Sequence, residues 1–118
     1  MQTNIIVKTQ FEAIHCWSSC PFSEVAFLKQ KHRHIFHVTC KAAVMHDDRA
    51  IEFIMCKHEL EKFLTTTFHQ KDIGDTSCEM LCKKILAVFH YFFYVCIEED
   101  GENGAEVWRT RDENISFS

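Results

Sequence analysis

Apolar and polar residues alternate at period two where the chain begins. From Ile5 to His15, the residues Ile5, Val7, Phe11, Ala13 and His15 share one face of a predicted strand. Ile6 and Ile14 make the opposite face partly apolar, so this strand is expected to be covered on both sides. His32–Val44 reads as a second strand, with His32, His34, Phe36 and Val38 on one face and sheet-forming neighbours such as Thr39. The stretch between them, Cys16–Lys31, is mixed in character, contains the single proline, and reads as a loop with a short helix near Glu24–Leu28.

Beyond the polar turn His46-Asp47-Asp48-Arg49 the period changes. Over Ile51–Phe68 the residues Cys56, Leu60, Phe63 and Leu64 recur at helical spacing. Lys71–Asp75 reads as a loop. Thr76-Ser77-Cys78-Glu79 has the form of a capping box, with Thr76 at the cap and Glu79 reaching back. The helix it opens would bury Leu81, Ile85, Val88 and Phe92. Tyr91–Glu99 then alternates again, with Phe93, Val95, Ile97 and Glu99 on one face. Gly101–Gly104 reads as a hairpin turn, Ala105–Arg111 as the last strand and Asp112–Ser118 as a frayed tail. The order β, β, α, α, β, β predicts an α+β domain: a four-stranded antiparallel sheet with two helices on one face. The open sheet edges would be covered by pairing between subunits.

The chain has 118 residues, the size of one domain. Hydrophobic residues make up 47% of it and include eleven Phe, enough for a real core. The net charge of −4 argues against a nucleic-acid partner, which calls for a basic surface. No apolar stretch approaches the ~20 residues of a membrane span, and Met1–Lys8 lacks the pattern of a secretory signal. The seven cysteines are therefore expected to be free thiols in a reducing cytoplasm.

The strongest chemical signal is His32-Arg33-His34. Alternation places both imidazoles on one strand face, with Cα atoms roughly 7 Å apart. His15 ends the first strand, and if the two strands are neighbours three imidazoles can converge. Three His with one position open is the ligand set of a catalytic zinc site. A row of surface imidazoles would give the same spacing. The second signal is Glu99 at the end of an apolar strand. A carboxylate there can accept two hydrogen bonds from a planar N–H edge such as that of a pterin or guanine. The neighbouring Glu98, Asp100 and Glu102 equally fit a solvated acidic turn. There is no glycine-rich phosphate loop and no nucleophile elbow.

Phe11-Glu12-Ala13-Ile14-His15 followed by His32-Arg33-His34 resembles the F-x-A-x-H … H-x-H pattern of the 6-pyruvoyl-tetrahydropterin synthase family, which includes the 6-carboxy-tetrahydropterin synthases of the queuosine pathway. Arg49–Phe53, Thr76–Leu81 and Val95–Glu99 resemble further segments of that family in the same order, from residue 5 to about 108. The resemblance implies the T-fold, whose subunits close into barrels, usually hexamers with sites between subunits. It implies zinc held by His15, His32 and His34, and a pterin or purine-like ring anchored by Glu99.

The departures bear on activity. The family's catalytic Cys precedes H-x-H by a few residues, where this chain has Phe27-Leu28-Lys29-Gln30-Lys31. Cys20, the more distant Cys16, and Glu24 are the candidates to replace it. The Asp and His of the family's proton relay are missing between Leu60 and Thr76, where His69 and Asp72 are the nearest substitutes. Arg33 and Ile35 stand where the family has Gly and Asn, and Glu52 where it has Asp. A positioned base is typically worth 10²–10⁴-fold in rate. The expectation is thus a zinc-dependent lyase on a pterin with a rewired base, a T-fold shell that binds such a ligand without turnover, or a structural shell whose zinc only staples the fold.

Overall fold

The computed structural model describes residues 1–109; the predicted tail Asp112–Ser118 and the end of the predicted last strand lie outside them. In chain order the elements are β1 (Thr3–His15), a 3-10 helix (Ser23–Lys29), β2 (His32–Val44), α1 (Phe53–Thr67), β3 (Lys71–Asp72), α2 (Cys78–Val88), β4 (Phe92–Glu99) and β5 (Gly104–Trp108). The strands form one mixed sheet in the order β3-β1-β2-β4-β5. The α+β class predicted from the patterning is the observed one.

The sheet is organised by the long β1–β2 pair. These strands run antiparallel in register from Thr3 opposite Val44 to His15 opposite His32. β4 lies antiparallel against the other edge of β2, from Phe36 opposite Glu99 to Ala42 opposite Phe92. Phe11, Phe36, Val38, Cys40 and Ala42 line one face and are almost fully buried. Leu60 and Leu64 of α1 and Leu81 and Ile85 of α2 close over that face in a single hydrophobic cluster. Phe11 stacks on Phe36 with ring centroids 5.1 Å apart. Burying each such side chain contributes about 1.5–3 kcal/mol.

Five details depart from the patterning, each for a local reason. First, Lys71–Asp72 is not loop alone. It pairs in parallel with Ala13 and Ile14, adding a fifth strand too short to carry a periodic signal and making the sheet mixed. Second, Ser77 and not Thr76 caps α2, accepting from the Met80 N–H. The Thr76 hydroxyl instead donates to the carbonyl of Ile73, and no return bond from Glu79 is formed to it. Third, Val88 is half exposed, because α2 buries Cys78, Cys82 and Leu86 along a stripe turned toward β4 and β5. Fourth, a register shift between Lys41 and Ala42 puts Phe92 in the core and leaves Phe93 half-buried. Fifth, Ile6 and Ile14 are exposed, so the second face of β1 is open.

Glu52 caps α1, its carboxylate accepting from the Ile54 and Met55 N–H groups, which suits the positive end of a helix. Gly104 opens β5 where a Cβ would collide with the carbonyl of Ile97. No helix among the described residues is long and apolar enough to cross a membrane.

The stripe assignment has a direct check in urea denaturation. Ile85→Ala should destabilise by about 2–5 kcal/mol. Val88→Ala, on the same helix, should stay within about 0.5 kcal/mol of the parent.

Candidate metal centre

The register brings the three histidines together. His15, the last residue of β1, lies directly opposite His32, the first of β2. His34 follows two residues on, on the same face. Glu99, the last residue of β4, pairs with Phe36, so its side chain falls next to His34 on that face. The four residues occupy the end of the sheet next to the start of α2. Phe36 forms the base beneath them, with its ring centroid 5.3 Å from that of His15 and 5.9 Å from that of His34. His15, His32, His34 and Glu99 could hold a metal ion: one ligand atom from each lies within 4.8 Å of all the others.

The hydrogen bonds behind the rings decide which nitrogens face inward. The Nδ1 atom of His15 lies 2.8 Å from the carbonyl of Thr76. That of His32 lies 2.8 Å from the carbonyl of Gln30. A carbonyl only accepts, so each Nδ1 carries the proton and each neutral ring presents Nε2 as a lone pair. The Nδ1 atom of His34 faces the Asp100 carboxylate at 2.6 Å, with the same consequence. Metal-binding histidines are oriented by carbonyls and carboxylates in this way.

Inside the cluster the contacts run against ordinary hydrogen bonding. The Nε2 atom of His15 is 2.9 Å from Oε2 of Glu99, and that of His34 is 3.5 Å from the same oxygen. Yet His15 Nε2 is buried with no hydrogen-bond partner. With the Nδ1 protons directed outward, the inward nitrogens and the carboxylate make a close group of potential ligands. Such a group is costly to bury unless a cation compensates it. Three neutral imidazoles and one carboxylate make an all-nitrogen-and-oxygen set of four, the number and type that suit a tetrahedral divalent ion.

Asp100 is a member of the site that the patterning missed. It adopts a left-handed backbone with φ 55°, which aspartate tolerates better than most residues, and Gly101 follows at φ 74°. This turn aims one carboxylate oxygen at the Ile35 N–H and the other at His34. The Ile35 N–H above all, and then His34, hold the Asp100 carboxyl below the usual carboxylate range. The Asp-Gly pair is a recognisable turn signal, but its tie to His34 depends on β2–β4 register.

A cavity of about 680 Å³ opens beside the cluster, with His15, His32 and Glu99 at its base and Trp17, Leu28 and Met80 among its walls. The β1–β2 connection is tied down along one side. Cys16 N–H donates to the carbonyl of Gly74, and Asp75 accepts from both the N–H and the hydroxyl of Ser18. Those two Ser18 bonds hold the Asp75 carboxyl below its ordinary range.

Of the proposed replacements for the catalytic cysteine, Cys16 reaches the cavity and the other two do not. Cys20 is buried, its thiol 3.7 Å from the carbonyls of Phe22 and Val25. Glu24 is exposed on the 3-10 helix, and neither residue lines the cavity. Cys16 and Cys78 do line it, and burial pushes the Cys78 thiol up to about 12. His69 accepts from the Glu12 N–H, and Asp72 pairs with Lys31 at 2.6 Å, so both relay substitutes are occupied structurally. All seven cysteines are free. Comparison of the sequence with protein-family models and with curated proteins finds no match.

The role of Asp100 can be isolated. Asparagine tolerates the left-handed turn and can still accept from Ile35, so Asp100→Asn should keep the fold by circular dichroism. Divalent-metal affinity, read by competition with a chromophoric chelator, should fall about 10–100-fold, the usual effect of removing a partner behind a ligand.

Proposed function

We propose that the protein is a zinc-binding T-fold protein similar to the 6-pyruvoyl-tetrahydropterin synthases, with His15, His32 and His34 as zinc ligands and the adjacent cavity as the seat of a pterin or purine-like ring. The observation that carries this reading is the convergence of three imidazoles within reach of one ion, beside an open cavity that His15 and His32 line. Neutral imidazole suits zinc, and the group of four offers nitrogen and oxygen ligands. Zinc bound there would supply a Lewis acid to a carbonyl or hydroxyl of the ligand. Glu99, at the cavity base, has the chemistry to accept from the ring's N–H edge.

Assembly into a closed barrel, a hexamer by resemblance, agrees with the open second face of β1 and with a sheet that ends in a two-residue and a five-residue strand. Seven free thiols agree with a reducing cytoplasm.

What the site does with its ligand depends on a base. The lyase reading needs one near the ligand side chain with a pKa close to neutral. The position of Cys20 and Glu24 away from the cavity favours the second reading, in which the shell sequesters or senses the ligand without turning it over.

Native mass spectrometry of protein purified without added metal tests the first part: about one zinc per chain in a multimer is expected. Zinc-loaded protein is then given dihydroneopterin triphosphate, other pterins and guanine, with calorimetry for binding and mass spectrometry for product. Binding without product supports the sensing reading, and product formation supports the lyase. A zinc-free monomer that binds none of them contradicts both.

A further inference from the structure

We infer that Glu99 is the fourth ligand of the metal while the cavity is empty, and that it must leave the metal before a ligand can reach it. The inference rests on the proposed metal-binding role of the three histidines and goes beyond the ring-anchoring role of Glu99.

The distances are those of co-ligands. Donor atoms at 2.0–2.1 Å from a tetrahedral zinc lie about 3.3 Å from one another. Glu99 Oε2 is 2.9 Å from Nε2 of His15 and 3.5 Å from Nε2 of His34, on either side of that value. No hydrogen bond joins Nε2 of His15 to Glu99 although the oxygen lies within reach. A cation between the two atoms would be ligated by both.

Glu99 is also the member of this trio that can move. Its side chain is 30% exposed, against 10% for His15 and 22% for His34. Its backbone is fixed by the bonds Glu99 N–H to Asn103 and Glu102 N–H to Glu99. Only side-chain rotation is required, and the cavity that Glu99 lines with His15 and His32 supplies the room. Glu99 therefore stands between the histidines and the cavity it lines. A small anion that offers only a donor atom gains nothing for the displaced carboxylate. A planar heterocycle with a donor atom beside an N–H edge offers the metal a replacement and Glu99 a new partner at once. The masking carboxylate thus selects for that ligand class.

Cobalt(II) in place of zinc gives a visible spectrum that reports its ligands without any activity assay. In the full-length wild-type protein loaded with cobalt, millimolar azide should leave the visible bands unchanged. In Glu99→Ala azide should shift them. In Glu99→Gln metal affinity should drop about 10–100-fold, since a direct ligand counts for no less than the partners behind the ligands. The inference is overturned if azide shifts the wild-type bands as readily as those of Glu99→Ala, or if Glu99→Gln holds metal as tightly as the parent. The wild-type titration alone decides the matter if a variant fails to fold. Wild-type protein that takes up no cobalt overturns the three-histidine reading itself, and this inference with it.

Discussion

Three imidazoles and a carboxylate converge at the end of the sheet, and the rest of the site is arranged around that contact. The bonds from His15 and His32 to backbone carbonyls, and from His34 to Asp100, fix the tautomers. With those protons outward, the inward nitrogens of the neutral rings offer lone pairs. The Nε2 of His15 is buried without a hydrogen-bond partner. A divalent cation held there would be offered three imidazoles and one carboxylate.

The fold sets this arrangement with few degrees of freedom. The uninterrupted β1–β2 register fixes His15 opposite His32, and a slip of one residue would put His15 on the opposite face from His32 and His34. The same face carries Phe11 and Phe36, so the apolar core runs directly into the polar site with Phe36 as the boundary. The segment from Ile73 to Ser77 works on three sides. Ile73 N–H bonds the Ile14 carbonyl beside β1, Thr76 orients His15, and Ser77 starts α2. That economy explains why Thr76 does not cap the helix: its backbone and hydroxyl are engaged elsewhere.

Much of this was legible from residue order. The limits of β2 and the parity of His15, His32 and His34 follow from alternation, and the α1 stripe of Cys56, Leu60 and Leu64 from helical spacing. The errors fall where tertiary contacts outvote local pattern. The two residues of β3 are too few to show a period. Phe92, assigned by helical spacing to the stripe of α2, belongs to β4, and the bulge at Lys41/Ala42 puts it rather than Phe93 in the core. Glu99 was placed on the correct face, but its approach to His15 depends on β4 packing beside β2. Asp100 read as one acid in an acidic turn, and only the left-handed turn aims it at His34.

X-ray absorption at the zinc edge, on the full chain reconstituted with one equivalent of metal, addresses the centre most directly. Three imidazoles and one carboxylate should give a first sphere of nitrogen and oxygen at about 2.0–2.1 Å with the outer-ring scattering of histidine. A sphere of water oxygens without imidazole scattering, or sulfur at about 2.3 Å, would contradict the site as built here.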